Sequence, residues 1–275
     1  MRLYASTLAL GDLPLEDFFS RVARLNFQGV EVMIDPPRLW PISHEDQRKI
    51  AELADLYRLD LSVHAPLSDI NLASLNETMR QASLAEMRRA VDVAADWGAG
   101  WMVFHPGHLS GVGAMGHELA LNRLRDSLEE LLAYAAERGL SLSLENHHRT
   151  GDLASSLAEL RGILSWFDDR LGFTLDIGHA YLVAGDAVPD YIIELGPSLR
   201  SLHIDDNAGE GDVHAALGLG KIRLDDVFQA LQEIGYDGDL VLELWNLPDL
   251  ASSMELLHTR GWLEAQALGP RLRQA

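Results

Sequence analysis

Six apolar segments of this sequence end in a histidine or an acidic residue. In chain order these residues are His64, His105, Glu145, Asp176, His203 and Glu243. Imidazole nitrogens and carboxylate oxygens bind divalent transition metals, and both groups also accept and donate protons. A lone histidine at such a position is usually a hydrogen-bonded structural group. Six residues at the same relative position instead predict one shared chemical site.

Three of these residues are carboxylic acids, which repel one another and raise one another's pKa values if they converge. A divalent cation removes that repulsion and offsets the free energy lost on desolvating the charges. Mixed nitrogen and oxygen ligands suit manganese, zinc, cobalt or iron better than calcium. We therefore predict a divalent metal cofactor, with manganese, magnesium, cobalt and zinc as the candidates. The chain has no cysteine, so thiolate ligands, thiol nucleophiles and disulfides are excluded.

A glycine-rich segment after His203 carries a further acid and imidazole pair. Asp212 and His214 are two residues apart, so an extended backbone would place their side chains on the same side. Gly218 and Gly220 then allow the chain to turn tightly. Asp, Gly and His are common in loops, and the pair alone indicates little. Beside the six segment-end residues it predicts additional metal or substrate contacts.

Alternating short and long segments predict the elements that would position these residues. The predicted strands are Leu3–Thr7, Gly29–Ile34, Leu59–His64, Trp101–His105, Leu140–Glu145, Gly172–Asp176, Ser201–Ile204 and Leu240–Glu243. The amphipathic, helical stretches are Glu16–Leu25, Glu45–Tyr57, Glu77–Trp97, Leu119–Arg138, Leu153–Phe167 and Leu224–Ile234. Strands and helices that alternate in this way form parallel βαβ units. Eight such units in 275 residues predict an α/β fold, a single (β/α)8 TIM barrel.

The barrel explains why the six residues would meet. The carboxyl ends of all eight strands lie at one rim, where the active sites of such barrels are found.

Glycines at Gly98, Gly139 and Gly235 end helical stretches just before the next strand, as helix C-caps do. With no repeat, linker or low-complexity segment, the chain predicts one domain over residues 1–275.

Charge and hydropathy narrow the choice of partners. The formal net charge of −20 repels phosphodiester backbones, so we do not expect a nucleic acid partner. No apolar run approaches the roughly 18 residues of a membrane span, and the N-terminus lacks the apolar stretch of a signal peptide. We expect a cytoplasmic protein that acts on a small molecule and has no membrane partner. A homo-oligomeric state stays open.

At these residues the chain resembles the xylose-isomerase-like TIM-barrel superfamily, which includes sugar phosphate isomerases and epimerases and the AP endonucleases of the endonuclease IV type. The likeness runs from the third predicted strand to Glu243. The most specific motifs are HAPLSDINLAS (64–74), FHPGH (104–108), LEN (144–146), DIGHA (176–180), HIDDNAGEGDVHAALGLG (203–220) and LELW (242–245).

The resemblance implies two alternative metal centres. In the isomerase and epimerase branches one metal is held by residues matching Glu145, Asp176, His203 and Glu243, and the two glutamates also move the proton. The nuclease branch holds three zinc ions. Carried over, one zinc would bind His64, His105 and Glu145, a second the four residues above, and a third His179, Asp212 and His214. All nine positions hold the expected residue type.

Departures from the nuclease pattern favour the isomerase and epimerase branches. The spacing from His203 to Asp212 is shorter than in the nuclease loop that grips DNA. The nuclease's tyrosine in the loop after His64 is replaced by the region 67–69, and Ile177-Gly178 stands in place of a threonine and cysteine pair. The net charge points the same way. We therefore expect a divalent-metal-dependent isomerase or epimerase of a sugar, a sugar phosphate or a polyol-derived ketose.

The chemistry of that reaction agrees with the residues. A metal polarises the carbonyl and stabilises the enediolate while flanking carboxylates collect and return the proton. Asn146 and Trp245 are predicted to contact the substrate, the first by donating to a hydroxyl or orienting a ligand, the second by stacking on the sugar. The alternatives are a trinuclear zinc phosphodiesterase acting on abasic DNA, a lyase of oxidised sugars, and a non-catalytic sugar-binding barrel.

Overall fold

Eight parallel strands hydrogen-bond to one another in sequence order, and the eighth strand pairs with the first. The computed structural model describes residues 1–109 and 113–263, without the side chains of 113–115. The strands are β1 (Arg2–Ser6), β2 (Gly29–Met33), β3 (Asp60–His64), β4 (Trp101–Phe104), β5 (Ser141–Glu145), β6 (Leu171–Asp176), β7 (Leu199–Ile204) and β8 (Asp239–Leu242). The predicted (β/α)8 barrel is confirmed. Of the predicted domain range, residues 110–112 and 264–275 lie outside the described residues.

Nine α-helices within the described ranges surround the barrel. They are α1 (Leu15–Arg24), α2 (His44–Tyr57), α3 (Glu77–Asp96), α4 (Gly113–Glu137), α5 (Leu157–Leu164), α6 (Ile177–Ala184), α7 (Val188–Leu195), α8 (Leu224–Glu233) and α9 (Leu247–Thr259). Gly98, Gly139 and Gly235 adopt φ values of 64°, 69° and 65°, which confirms their C-cap role. None of the described helices is both long enough and apolar enough to cross a membrane.

One predicted helix is much shorter than expected. The stretch 153–167 was predicted as helical throughout, but α5 spans only Leu157–Leu164. Ala154 has a φ of 55°, which a right-handed helix cannot accommodate. The Ser156 hydroxyl accepts a hydrogen bond from the backbone N–H of Glu159 and so caps the helix start. The prediction of a helix from Leu153 was therefore wrong by four residues at this end.

The barrel interior holds a layer of hydroxyl groups directly below the strand-end residues. The Thr174 hydroxyl lies 2.7 Å from that of Ser143 and 2.9 Å from that of Ser201, and Ser62 donates to Glu31 over 3.3 Å. Each serine or threonine comes two residues before a predicted ligand, and side chains two apart on a strand point the same way. The predicted ligands on β3, β5, β6 and β7 therefore point inward on top of this layer.

Aromatic rings fill the opposite end of the barrel. Tyr4 and Trp101 pack against each other inside it with ring centroids 5.2 Å apart. Gly29 leaves room for the Tyr4 ring, because a Cβ at position 29 would overlap that ring. Below them, Arg2 forms two hydrogen bonds with the carboxylate of Asp239, at 2.7 and 2.8 Å. The interior is thus packed at this end and polar at the other.

Candidate metal centre and substrate cavity

All six strand-end residues predicted from the sequence lie together at the carboxyl-terminal rim. Four of them form one compact buried group, in which one donor atom from each residue lies within 4.8 Å of the others: Glu145, Asp176, His203 and Glu243. Three of the four end β5, β6 or lie within β7, and Glu243 directly follows β8. Neighbouring strands of one barrel wall therefore supply the whole group.

Within this group, one ring nitrogen of His203 has carboxylates nearby but no hydrogen-bond partner among the described residues. Its Nδ1 atom lies 2.8 Å from a carboxylate oxygen of Glu243 and 3.4 Å from one of Glu145. Nevertheless Nδ1 makes no hydrogen bond with the described residues, because no acceptor is aligned with its N–H direction, and one oxygen of Asp176 is also buried without a partner. Buried polar groups without partners are rare and energetically unfavourable. Donor atoms that crowd one point without pairing fit a divalent cation at that point.

Glu31 is a functional candidate that the sequence analysis missed. It is fully buried in the middle of β2, and its Oε1 atom lies 3.0 Å from Nε2 of His203. A histidine that binds metal through one ring nitrogen usually turns the other toward a carboxylate, which fixes the ring orientation. A carboxylate between Val30 and Val32 in an otherwise apolar strand was the available signal.

Glu145 connects the principal group to a second one. Its Oε2 atom lies 3.2 Å from Nε2 of both His64 and His105. Its Oε1 atom lies 3.4 Å from Nδ1 of both His179 and His203. The donor atoms of His64, His105 and Glu145 also lie within 4.8 Å of one another. Glu145 can therefore bridge two cations, as the trinuclear alternative requires.

The third predicted group is rearranged: His179 and Asp212 form a compact set with His148, whereas His214 belongs to a set with Asp176 and Asp205. The Asp212 carboxylate lies 3.2 Å from Nε2 of His179 and 3.4 Å from Nε2 of His214. His148 joins His179 and Asp212 in a set whose donor atoms lie within 4.8 Å of one another. His179 places its Nδ1 atom 2.9 Å from the carbonyl oxygen of Asn146. Without a cation, Nε2 of His179 can donate to the Asp212 carboxylate, and with a cation it could instead serve as a ligand beside Asp212.

Asp205 is a second buried carboxylate that the sequence analysis did not single out. Both of its oxygens are buried and make no hydrogen bond with the described residues. One oxygen lies 3.6 Å from Nδ1 of His214, and the donor atoms of Asp176, Asp205 and His214 lie within 4.8 Å of one another. A Cβ at position 178 would overlap the Asp205 carboxylate, which explains the glycine there.

The neighbouring Asp206 holds the loop that carries Asp212 and His214. Its carboxylate accepts hydrogen bonds from backbone N–H groups at four positions, at 2.9 to 3.2 Å: Asn207, Gly218, Gly220 and Ile222. The backbone of Asp206 also pairs with Ala215 in an antiparallel bridge. Gly218 has a φ of 83°, and a Cβ at Gly220 would overlap the Asp206 carboxylate. Both glycines are therefore required by the loop geometry.

The two predicted substrate contacts have different surroundings. The Asn146 side chain is fully buried, donates to the carbonyl oxygen of Asp176 over 3.0 Å and accepts from the Asp176 N–H over 2.8 Å. This geometry favours the alternative in which Asn146 orients a ligand over a direct substrate contact. Trp245 is 53% exposed, lines the cavity at the rim and donates to the carbonyl oxygen of Val213. Stacking of Trp245 on a sugar stays a prediction.

The close packing of acids and imidazoles shifts their pKa values. Burial alone would raise the pKa of Glu145, but the imidazoles of His105 and His203 outweigh it and hold that pKa well below its usual range. Burial likewise opposes ionisation of Glu243, and His203 and His214 lower its pKa to about 2. Burial, reinforced by Asp205 and the neighbouring glutamates, raises the pKa of Asp176.

A cavity of about 550 Å³ opens above these residues. Its lining includes seven of the residues predicted as ligands: His64, His105, Glu145, His179, Asp212, His214 and Glu243. His147 and His148 line the same side, with ring centroids 4.7 Å apart. The two remaining predicted ligands, Asp176 and His203, are fully buried and outside the lining. A small molecule in this cavity would contact the glutamates directly.

The protein is a (β/α)8 barrel whose carboxyl-terminal rim gathers carboxylates and histidines into candidate metal-ligand groups. Residues 19–265 match the family model of the xylose isomerase-like TIM barrel, and the chain belongs to this family. The resemblance of its motifs is thereby confirmed.

Similar proteins include sugar epimerases and a nuclease. The chain is similar to a crystal structure of a D-tagatose 3-epimerase-like protein, with 29% identity, a TM-score of 0.84 and coverage of 96% of this chain and 97% of that one. It is 28% identical to fructoselysine 3-epimerase of Shigella flexneri, over 84% of this chain and 86% of the relative. It is 30% identical to the probable endonuclease 4 of Mycobacterium ulcerans, over 70% of this chain and 76% of that relative. The epimerase relatives support an enzyme of the isomerase and epimerase kind.

Proposed function

We propose that this protein is a divalent-metal-dependent sugar isomerase or epimerase, which moves a proton at the carbon next to a carbonyl group. One observation carries the proposal. Glu145 and Glu243 offer carboxylate oxygens within 4.8 Å of each other and of the Asp176 and His203 donor atoms. Both glutamates also line the cavity. The same two carboxylates can therefore help to hold a cation and contact a substrate.

The strand order supports a two-base epimerisation. One group must remove the proton from carbon, and for inversion a second group must return a proton to the opposite face. Glu145 ends β5 and Glu243 follows β8, three strands further around the barrel, so the two carboxylates approach the cavity from different sides. A divalent ion held by the four residues would polarise the carbonyl and stabilise the negative charge left by the departing proton.

The substrate we propose is a small carbohydrate with a carbonyl group. The relatives named for 3-epimerisation of fructoselysine and of D-tagatose support a ketose. Trp245 offers an exposed aromatic ring at the cavity rim, and such rings stack on the apolar faces of sugars. Asn146 acts by fixing the Asp176 backbone, which keeps the Asp176 carboxylate in the principal group.

The test is proton exchange on carbon. The purified protein loaded with manganese or zinc is incubated in D₂O with a panel of ketoses, and deuterium incorporation is followed by NMR. We expect incorporation next to the carbonyl for at least one ketose, and its loss in Glu145→Gln and in Glu243→Gln. Glu255→Gln, an exposed change on α9, is the matched control. Tight sugar binding without deuterium incorporation would contradict the enzyme proposal and favour a non-catalytic sugar-binding barrel.

A zinc phosphodiesterase of the endonuclease type is the second candidate, because Glu145 contacts imidazoles of both neighbouring groups. His214→Ala separates the two functions. If one ion does the chemistry, the variant keeps that ion and turns over about 10–100-fold more slowly. If three ions are needed, it loses one ion together with all activity. Metal content and rate are measured on one preparation, with an abasic-site duplex and a ketose as substrates.

A further inference from the structure

The cavity has two chemically different walls. The carboxyl ends of β3 to β8 supply histidines and carboxylates, as described above. The wall beneath the loops that follow β1, β2 and β3 is mainly apolar, and its apolar side chains include Leu8, Leu10, Met33, Leu39, Leu67 and Ile70. Because β1, β2 and β3 are neighbours in the barrel, these side chains form one continuous surface. A molecule that spans the cavity meets both kinds of wall.

Two polar side chains on the apolar wall, Thr7 and Asp35, accept hydrogen bonds from within the protein. Thr7 accepts a hydrogen bond at its hydroxyl oxygen from the backbone N–H of Met33 over 2.8 Å. Asp35 accepts three hydrogen bonds, from the N–H groups of Leu67 and Ser68 and from the Ser68 hydroxyl, at 2.6 to 2.9 Å. A sugar hydroxyl that leaves water needs a new partner, and this wall offers few. The wall therefore fits methylene groups better than a polyol.

Arg38 lies at the outer edge of the same wall. It is exposed, lines the cavity and donates one hydrogen bond to the carbonyl oxygen of Leu13. In residues 1–109 and 113–263 no acid lies within 4.0 Å of its guanidinium nitrogens. A guanidinium has five N–H donors in a planar fork that matches a carboxylate. In a chain of net charge −20, an arginine without an acidic partner creates a local site for an anion.

The cavity is large enough for a molecule longer than a simple sugar. Its volume of about 550 Å³ falls in the range of pockets that hold drug-sized ligands, which is roughly 300–1,000 Å³. We propose that the apolar wall and Arg38 form a subsite for an apolar arm with a terminal carboxylate, attached to the sugar that reacts at Glu145 and Glu243. The substrate class is then an acid-bearing alkyl derivative of a ketose. The sugar half of this inference rests on the proposed function, and the arm half rests on the wall and Arg38.

Binding measurements on matched ligands test the arm. The ligands are D-fructose and its 1-O and 6-O derivatives with a hexyl, a 5-carboxypentyl or a 5-carbamoylpentyl arm, titrated against the metal-loaded protein by calorimetry. We expect a hexyl arm to bind at least about tenfold tighter than D-fructose, because several methylenes leave water. We expect the carboxylate to bind about fivefold or more tighter than the amide, because its bond to arginine is charge-assisted.

The same ligands are then titrated against the Arg38→Gln variant. In this variant the carboxylate and amide ligands should bind equally, whereas Arg48→Gln, an exposed change on α2, should leave their ratio intact. Equal affinities of the carboxylate and amide ligands in the unaltered protein, or an unchanged ratio in Arg38→Gln, would overturn the anion site. Equal affinities of D-fructose and the hexyl ligands would overturn the apolar subsite.

Sugar-free probes separate this inference from the proposed function. Sodium hexanoate and hexanamide are titrated against the same preparations. Weak hexanoate binding that disappears in Arg38→Gln supports the subsite even if the protein exchanges no proton of any ketose. Hexanoate binding that is unaffected by Arg38→Gln contradicts the subsite even if proton exchange is found. Tight binding of D-fructose 6-phosphate, equal to that of the armed ligands, would contradict the arm and favour a phosphorylated sugar.

Discussion

At the scale of single residues, the rim is a network of acids and imidazoles in which geometry separates two roles. His203 faces the Glu243 and Glu145 carboxylates with Nδ1 and faces Glu31 with Nε2. The first nitrogen is the candidate ligand, and the second lies 3.0 Å from the Glu31 carboxylate. Glu31 is not part of the cavity lining, so we expect it to act through His203 and without substrate contact.

Glu31→Gln should weaken metal binding without abolishing it. The substitution keeps the shape of the side chain but removes the charge that orients the His203 ring, and such outer partners typically contribute about 10–100-fold in metal affinity. Glu243→Gln removes a ligand and should weaken binding by more than that. Manganese and zinc affinities from competition with a chelating dye measure both. Unchanged affinity in Glu31→Gln would contradict the orienting role.

At the scale of elements, the strands and one loop carry the site together. Each strand from β5 to β7 places a hydroxyl residue two positions before a candidate ligand, so the ligand layer rests on a hydrogen-bonded layer. The loop after β7 has no regular structure of its own between Asp206 and Leu224 apart from one bridge. The buried carboxylate of Asp206 accepts four backbone hydrogen bonds that hold this loop.

Asp206→Asn should destabilise the protein by about 2–4 kcal/mol, because the amide brings an N–H group toward backbone N–H groups that need an acceptor. Urea unfolding measures the change. Asp225→Asn, an exposed carboxylate on α8, should change the stability little. Asp206→Asn should also reduce substrate affinity, since this loop positions Asp212 and His214. A variant with unaltered stability would show that the four hydrogen bonds to Asp206 contribute little.

Thr174→Val should cost about 1–3 kcal/mol of stability, because the hydroxyls of Ser143 and Ser201 lose their shared buried partner while the volume is kept. Thr78→Val, at an exposed position in α3, provides the comparison. Metal stoichiometry should stay the same in both variants. Loss of the metal in Thr174→Val would mean that the hydroxyl layer itself positions the ligands.

At the scale of the whole molecule, the barrel has three chemically different zones along its axis. Aromatic side chains pack one end, hydroxyls fill the middle, and charged side chains occupy the carboxyl-terminal rim. The rim places buried carboxylates near one another with unpaired oxygens, which lowers the stability of the metal-free barrel. A cation that binds only the folded state should recover this stability.

Metal loading should therefore raise the thermal midpoint. A ligand at a hundred times its dissociation constant stabilises the folded state by about 2.7 kcal/mol. For a chain of this size that corresponds to a rise of about 5–10 °C. Differential scanning calorimetry of chelator-treated protein, with and without manganese or zinc, measures it. Glu243→Gln should show little of this rise, and an equal rise in that variant would place the stabilising ion elsewhere.

The sequence alone was sufficient for the fold and for the positions of the strand-end residues. Strand and helix periods are local properties, and in a closed parallel barrel every strand ends at the same rim, so His64 to Glu243 could be brought together without a structure. Only the tertiary structure showed the orienting role of Glu31, the unpaired Asp205 carboxylate and the place of His148 beside Asp212. Strands buried on both sides read as apolar runs, so the sequence does not reveal which face is inside or which side chains meet across the interior. The apolar wall with Arg38 likewise depends on three loops that are distant in sequence and adjacent only because the barrel closes.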